Sequence, residues 1–290
     1  PVSPACLMGM NRRELFFGAA VAGLLPTLDR AAAQARPIGT LVTVSGSQVH
    51  YLQRGKPAGR TVVFLHGMAS MIQDFTSSGV LEPLEPDYRI LCFDRPGYGY
   101  TQQVASQSPE VQADLFASTL QHVGVTSCIV VAHSWGTLVA NALALRSPTL
   151  VEGLVLLGGY YFSEPAPPVT IGSGGVSPIH AAIAKAFAPL GPTARFTAEF
   201  DIDLALGSLQ ASAVEGASLR LYAGMLETRY DQLRHPLVLL VGEKDGVTGL
   251  VQSQKMNAKF PTSTLRIFPG VGHMVHHAHP NEVVAAVRSF

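Results

Sequence analysis

A serine, an aspartate and a histidine that could act together on one substrate each follow a predicted strand of this sequence. The serine stands in Ala132-His133-Ser134-Trp135-Gly136, directly after an apolar run and directly before a helical pattern. A sharp strand-to-helix turn lifts a serine hydroxyl clear of the sheet, and it needs small residues two before and two after the serine. Gly136 meets this condition, while Ala132 stands where glycine is commoner. The pattern predicts a nucleophile at Ser134, although on its own it also fits a serine that caps a helix.

A serine hydroxyl becomes a good nucleophile only beside a base that removes its proton. His273 follows the last predicted strand on a loop with glycine at positions 270 and 272, which would allow the backbone to fold inward. Imidazole suits this work because its pKa lies near neutral pH. Of the ten histidines in the chain, we therefore predict His273 as the general base, with His133 as the second choice.

The histidine in turn needs a carboxylate that accepts a hydrogen bond from its other ring nitrogen. Asp245 closes the stretch Gly242-Glu243-Lys244-Asp245, which follows a predicted strand at 237–241 and so lies at the same edge of the sheet. The order serine, aspartate, histidine along the chain is one that such sets use. Glu243 is the rival carboxylate, but its position immediately past the strand favours the surface. Asp245 is the predicted orienting acid.

A reaction of this kind also needs N–H donors for the negative charge that develops on the substrate oxygen. The backbone N–H of Trp135, directly after the serine, is one predicted donor. The second would come from the loop His66-Gly67-Met68, which follows a predicted strand. Met68 is the predicted donor, with Ala69 as the alternative.

Three further histidines crowd behind the predicted base and raise the question of a metal site. They are His276, His277 and His279. The group has neither an H-E-x-x-H spacing nor a cysteine partner, which are the usual signs of a zinc site. We therefore predict no metal site, and we expect these three side chains at a solvated helix entry.

Eight strands and four helices are predicted around these residues. The strands are predicted at 40–45, 48–54, 61–65, 89–93, 128–132, 153–157, 237–241 and 264–268, and the helices at 110–123, 137–147, 251–259 and 280–290. The first two strands form a hairpin, and the last six are apolar runs typical of parallel strands covered on both faces. Strands that alternate with helices predict an α/β fold with a mostly parallel sheet and helices on both faces.

The segment 160–235 breaks this alternation, since it contains no buried-strand pattern. It opens with prolines and glycines and then shows helical patterns at 179–187 and 213–230. Because a structureless segment of this length is rare inside a domain, we predict a small helical cap over the carboxyl ends of the strands. The core domain would then comprise residues 36–159 and 236–290, with the cap at 160–235 between its two parts.

Residues 1–35 have the composition of an export signal with upstream residues. Paired arginines at 12 and 13 precede an apolar stretch too short to span a bilayer comfortably, and an Ala-x-Ala pattern follows at 33–35. These features predict a twin-arginine-type signal, a mature chain from about residue 36 and a periplasmic or secreted protein without a membrane span. The alternative, a helix that stays on the protein, does not explain the Ala-x-Ala pattern.

The three cysteines form no obvious disulfide framework. Cys6 lies within the predicted signal. Cys92 and Cys128 lie in apolar runs predicted as central strands, where a free cysteine behaves as a small buried hydrophobic residue. We expect both of them to be free and buried.

Together these motifs resemble the α/β-hydrolase superfamily, and in particular its cap-bearing esterase, lipase and peptidase-like members. The resemblance covers residues 40–290. Residues 66–67 resemble the oxyanion loop of the family, residues 93–100 resemble the turn after its fourth strand, and Ser134, Asp245 and His273 match its triad. The resemblance implies an α/β-hydrolase fold and a structural role for Asp94 and Arg95, which would tie loops together near the site.

Within the superfamily, a serine nucleophile argues against the haloalkane dehalogenases and epoxide hydrolases, which use aspartate. The stretch Ser134-Trp135-Gly136 is similar to that of proline iminopeptidases, but these usually have glycine at positions 132 and 133. The resemblance therefore implies a serine hydrolase that acts on a small or medium carboxylic ester through an acyl-enzyme. Amide or peptide cleavage, C–C bond hydrolysis and perhydrolysis at the same triad are the alternatives.

The charge composition of the chain limits the kinds of molecule that it is expected to bind. Twenty basic and twenty acidic residues give a formal net charge of zero, without any run of like charges. Such a chain offers no basic stripe to a nucleic acid, and it suits a small uncharged substrate. No cofactor is predicted, and the oligomeric state stays open. A binding protein on the same scaffold is the other class of function, but such a protein would be expected to lose a member of the triad.

Overall fold

The computed structural model describes residues 38–164 and 202–290 of the chain. The predicted export signal at 1–35 and the predicted helix at 179–187 lie outside these residues. The division into core and cap remains a prediction. Within the two described stretches, no helix is both long and apolar enough to cross a membrane.

An eight-stranded sheet runs through the described residues. Its strands are β1 (Thr40–Val44), β2 (Ser47–Gly55), β3 (Arg60–Leu65), β4 (Tyr88–Phe93), β5 (Cys128–His133), β6 (Val151–Leu157), β7 (Leu237–Gly242) and β8 (Thr264–Phe268). They lie in the order β1-β2-β4-β3-β5-β6-β7-β8. β1 and β2 form an antiparallel hairpin, β2 pairs antiparallel with β4, and β3 to β8 are parallel. The predicted fold class and the parallel direction of the last six strands are confirmed.

The helices of the described residues connect these strands. They are α1 (Gln73–Thr76), α2 (Pro109–His122), α3 (Gly136–Arg146), α4 (Ile202–Glu227), α5 (Leu250–Lys259), α6 (Val275–Ala278) and α7 (Pro280–Arg288), with a short 3-10 helix at Tyr230–Gln232. The start of α2 has the two features by which a helix start is predicted from sequence. The Ser108 side chain accepts a hydrogen bond from the Glu110 N–H, and Pro109 occupies the first turn. A missing N–H costs little there.

Two hydrophobic clusters explain why the central strands read as continuous apolar runs. β5 and β7 are buried along their whole length. Alternate residues of β3 belong to different clusters, Val63 and Leu65 to one, Val62 and Phe64 to the other. Since side chains of a strand alternate between its two faces, both faces of the sheet are covered. Helices α2 and α3 contribute to the first cluster, and α7 contributes to the second.

Helix α4 begins earlier than the sequence pattern indicates. It runs from Ile202 to Glu227, whereas the pattern places a helix at 213–230. The stretch before residue 213 contains Gly207 but no proline, and one glycine weakens a helix by only about 1 kcal/mol. The backbone therefore continues as a helix through a stretch that the pattern leaves out.

The expectation for the two central cysteines is confirmed. Cys92 in β4 and Cys128 in β5 are free and buried. Burial raises the pKa of both thiols, to about 12 in the case of Cys128. Neither side chain is therefore a reactive thiolate at neutral pH.

Candidate active site

Ser134 occupies a strained turn between β5 and α3. Its φ is +52°, in the left-handed region that residues other than glycine seldom adopt. The turn is fixed on both sides, because the Ser134 N–H donates to the Leu157 carbonyl at 2.9 Å and the Thr137 N–H donates to the Ser134 carbonyl at 3.0 Å. A Cβ on Gly136 would lie 2.6 Å from the carbonyl oxygen of Leu65, so only glycine fits there. Strain of this kind at a polar residue is typical of functional sites.

His273 and Asp245 form a buried pair. His273 Nδ1 lies 2.9 Å from Asp245 Oδ2, and the two side chains are 4% and 0% exposed. The Asp245 carboxylate also accepts hydrogen bonds from the N–H groups of Val247 and Thr248 and from the Thr248 hydroxyl. Burial alone would raise the pKa of Asp245, but His273 and these donors hold it well below its usual range. An ionised carboxylate at Nδ1 places the proton of a neutral ring there and leaves Nε2 as the basic nitrogen.

The predicted base contacts His133, the residue that precedes Ser134. The rings of His133 and His273 are packed with their centroids 4.6 Å apart, and His133 Nε2 lies 3.3 Å from the His273 carbonyl oxygen. A Cβ on Gly158 would meet both Asp245 and His273 at 3.0 and 3.2 Å. Ser134, Asp245 and His273 follow β5, β7 and β8, so the predicted triad residues lie at one edge of the sheet.

The loop after β3, which carries the predicted oxyanion donor, is held by a buried hydrogen-bond network. The Arg95 N–H donates to His66 Nε2 at 2.9 Å, and the Arg95 guanidinium donates to the carbonyl oxygens of His66 and Gly67 at 2.8 and 3.0 Å. Ala69 has a φ of +55°, and its N–H donates to Ser212 Oγ at 3.1 Å. The N–H of the alternative donor is therefore already engaged.

The structural role expected for Asp94 and Arg95 agrees with their contacts. Arg95 holds the loop after β3, and Asp94 accepts hydrogen bonds from the Ile72 and Tyr100 N–H groups. His50 Nδ1 lies 2.7 Å from the same Asp94 carboxylate. Both side chains are fully or almost fully buried.

Glu243, the rival carboxylate, lies in a different environment from Asp245. It is exposed, and its Oε2 accepts a hydrogen bond from the Gly270 N–H at 3.0 Å. The loop that carries His273, residues 269–274, is called the histidine loop below. The contact at Gly270 joins the start of this loop to the loop after β7. The carboxylate that contacts His273 is that of Asp245.

The solvated position expected for His276 and His277 is wrong, whereas His279 is partly exposed at the start of α7, as expected. His276 is fully buried and His277 partly buried, because α6 packs against Asp74 of α1. The Nε2 atoms of His276 and His277 lie 2.9 and 3.1 Å from Asp74 Oδ1. His279 stacks on Phe268 with the ring centroids 4.6 Å apart. Asp74 carries no local signal in the sequence, because its neighbours Gln73 and Thr76 are polar as well.

The site is also joined to α4 by residues that the sequence analysis missed. Arg95 forms a bidentate ion pair with Glu215 of α4, with contacts of 2.5 and 3.0 Å, and both side chains are 0% exposed. The Tyr98 hydroxyl donates to the same carboxylate. No local pattern marks Glu215, since its partners precede it by more than a hundred residues.

Comparison with known proteins agrees with this fold. The sequence model described as "Alpha/beta hydrolase family" matches residues 62–287. The uncharacterized hydrolase YugF of Bacillus subtilis (strain 168) is 24% identical over 263 residues, which cover 86% of this chain and 96% of that protein. The esterase RhEst1 from Rhodococcus sp. ECU1013 is 25% identical with a TM-score of 0.63, over 86% of this chain and 96% of that one.

A further solved structure shares the fold at lower identity. The meta-cleavage product hydrolase CumD of Pseudomonas fluorescens IP01 is 18% identical with a TM-score of 0.73, over 87% of this chain and 97% of that one. The family match covers most of the chain and includes the loop after β3, the turn at Ser134 and the histidine loop. The chain belongs to the alpha/beta hydrolase family.

Proposed function

We propose that the protein hydrolyses a carboxylic ester of small or medium size through an acyl-enzyme. Ser134 is the nucleophile, His273 the general base and acid, and Asp245 the acid that orients the histidine. The observation that carries this proposal is the strained turn at Ser134, with φ +52°, at the same edge of the sheet as a buried histidine–aspartate pair. A serine in this conformation beside an oriented imidazole has the parts that nucleophilic catalysis requires.

The first half of the reaction forms the acyl-enzyme. His273 Nε2 takes the proton of the Ser134 hydroxyl as Oγ attacks the ester carbonyl carbon and the carbonyl oxygen becomes an oxyanion. The tetrahedral intermediate then expels the alcohol, which receives the proton from His273. Asp245 stays ionised throughout and stabilises the imidazolium that forms between these steps.

The second half regenerates the enzyme by the same groups. His273 takes a proton from water, the resulting hydroxide attacks the acyl carbon, and collapse of the intermediate releases the carboxylic acid and returns the proton to Ser134 Oγ. Ester hydrolysis needs no redox step and no cofactor. Water and the ester are the only reactants.

The oxyanion is stabilised by the N–H groups of Trp135 and Met68. Trp135 directly precedes α3, so its N–H belongs to the positive end of a helix dipole. Engagement of the Ala69 N–H by Ser212 favours Met68 over Ala69 as the second donor. Each donor of this kind lowers the free energy of the transition state by on the order of 3 kcal/mol.

Similarity supports an ester over the other bonds that this fold can cleave. RhEst1 is an esterase, and the matched region covers nearly all of its chain at 25% identity. A chain with zero net charge also suits an uncharged ester better than a charged peptide terminus.

Covalent labelling tests the nucleophile directly. We expect a fluorophosphonate to add one adduct to the wild-type protein, measured by intact mass, and none to Ser134→Ala, because the reagent reacts with activated serines. Hydrolysis of p-nitrophenyl butyrate by this variant should fall by about 10⁴-fold or more. Ser118→Ala, in α2, is the control and should label fully.

Two outcomes would overturn parts of the proposal. Equal labelling of the wild type and Ser134→Ala would exclude Ser134 as the nucleophile. Normal labelling without hydrolysis of any p-nitrophenyl ester of acetate to octanoate would leave the nucleophile in place and exclude the ester as its substrate. Far-UV circular dichroism of both variants shows that they are folded.

A further inference from the structure

A second cluster of polar side chains lies behind the candidate active site and has no part in the proposed reaction. Asp74 of α1 is fully buried and contacts three histidines from two other elements. His276 and His277 of α6 lie 2.9 and 3.1 Å from its Oδ1 atom, and His133 Nδ1 lies 3.3 Å from its Oδ2 atom. One ligand atom from each of Asp74, His276 and His277 lies within 4.8 Å of the others.

No lysine or arginine of the described residues pairs with the buried Asp74 carboxylate. The side-chain nitrogens within 3.3 Å of its oxygens belong to His133, His276 and His277. An ionised carboxylate in the protein interior is costly unless a cation or several donors balance it.

The second carboxylate oxygen of Asp74 is poorly satisfied. Its Oδ2 atom lies 3.3 Å from His133 Nδ1. Both atoms are buried, and neither has a well-aligned hydrogen-bond partner among the described residues. Buried polar atoms of this kind require an explanation, and a bound cation beside the carboxylate is one.

We propose that Asp74, His276 and His277 form a binding site for one divalent transition-metal ion such as Zn²⁺. Imidazole nitrogen and carboxylate oxygen are ligands that zinc prefers. A tetrahedral zinc ion with bonds of about 2.0–2.2 Å needs ligand atoms roughly 3.3–3.6 Å apart. The separations of 2.9 and 3.1 Å are only slightly shorter, so small side-chain rotations open the site.

The metal would link parts of the fold that the chain separates widely. Asp74 follows β3, whereas His276 and His277 follow β8 and lie just beyond His273. A bound ion joins α1 to α6 and so fixes the loop that carries the predicted base. Binding should therefore raise the thermal stability of the protein as well as occupy the site.

A direct binding measurement tests the site. Chelator-treated protein is titrated with Zn²⁺ by isothermal calorimetry, and the bound metal is counted by elemental analysis after dialysis. We expect one ion per chain and a higher Tm. His277→Gln should lower the affinity at least about 100-fold, because a lost ligand costs at least as much as a lost outer-shell partner. This variant is chosen because His277 is only partly buried and its loss leaves the core intact.

Matched variants separate this site from other zinc ligands. His279→Gln, two residues further along, removes a ring that stacks on Phe268 and should leave zinc binding unchanged. Ser134→Ala should also bind zinc normally, since the site does not depend on the proposed hydrolysis. Absence of stoichiometric binding, or equal affinity in the wild type and His277→Gln, would overturn the proposal and leave the cluster as a hydrogen-bond network.

Discussion

Glu243 and Asp245 both follow β7, but their surroundings differ, and we expect them to have different roles. Asp245 is buried, contacts His273 Nδ1 and accepts three further hydrogen bonds. Glu243 is exposed and accepts a hydrogen bond from the Gly270 N–H. The difference is testable because each acid has an amide of the same shape.

We expect Asp245→Asn to lower kcat for p-nitrophenyl butyrate by about 10⁴-fold, because an amide NH₂ in place of Oδ2 donates a hydrogen bond to Nδ1 instead of accepting one, and the histidine adopts the wrong tautomer. Glu243→Gln is the matched control and should stay within a few-fold of the wild type. Fluorophosphonate labelling should slow in parallel with kcat in the first variant. A similar loss in both variants would show that the loop, rather than the carboxylate, is what matters.

Single residues could be predicted from sequence where their role depends on a local pattern. Ser134, Asp245 and His273 each follow a strand that the apolar runs mark, and glycines surround two of them. Asp74 and Glu215 carry no such mark, because their partners are distant in the chain and only packing brings them together. The same reason explains the error at His276, whose burial depends on α1.

At the scale of elements, one buried ion pair joins α4 to the loop after β4. Arg95 and Glu215 form two contacts, and neither side chain is exposed. The same Arg95 guanidinium holds the carbonyl oxygens of His66 and Gly67, and it lies 4.9 Å from the centroid of the Trp135 ring. Loss of its charge partner would leave a buried cation unpaired at the edge of the candidate site.

Glu215→Gln should therefore lower the free energy of unfolding by about 3–5 kcal/mol, measured by urea denaturation. Asp114→Asn is a matched control, since Asp114 forms a bidentate pair with Arg146 at 2.6 Å on the surface, where the side chains are 53% and 36% exposed. Exposed pairs contribute about 1 kcal/mol or less. Equal losses of unfolding free energy in Glu215→Gln and Asp114→Asn would show that burial does not make the first ion pair more important for stability than the second.

Element boundaries could be predicted closely where apolar runs or caps define them. β5 and β7 are buried on both faces, so their composition alone marks them. Helix α4 was predicted too short, since Gly207 and the lack of strand neighbours left its first half without a signal. The apolar run at 264–268 predicted the place of β8 correctly, but this edge strand is only partly buried, so the expected cover on both faces is wrong for it.

At the scale of the whole molecule, the sheet order determines where chemistry can occur. β5 lies in the middle of the sheet, and β6 and β7 follow it on one side. The carboxyl ends of parallel strands meet at one edge, which is where open α/β sheets bind ligands. Ser134, Asp245 and His273 follow three such strands, so the topology brings together residues that are far apart in sequence. The position of the site at this edge could be predicted from the sequence. The hydrogen bonds by which Arg95 joins His66 to Glu215 could not.

The stability of the whole molecule should fall in mild acid, and His66 gives a traceable part of that loss. Burial, followed by the charge of Arg95, lowers the pKa of His66 from 6.5 to about 3 in the folded protein. The hydrogen bonds agree, because Nε2 accepts from the Arg95 N–H and a proton there would abolish that bond. Between the two pKa values the unfolded chain binds the proton and the folded chain does not. The free energy of unfolding therefore decreases as the pH falls from about 6.5 towards 3.

One such proton contributes a slope of about 1.4 kcal/mol per pH unit over this range. His66→Gln removes the titrating ring but keeps an oxygen that can accept from Arg95 and an amide that can donate to Gly67. We expect the slope of unfolding free energy against pH, measured by urea denaturation between about pH 6 and pH 4, to be smaller in this variant by about 1.4 kcal/mol per unit. Parallel curves for the two proteins would mean that His66 takes up its proton in the folded state as readily as in the unfolded chain. In that case the neutral ring would not be what fixes the loop after β3.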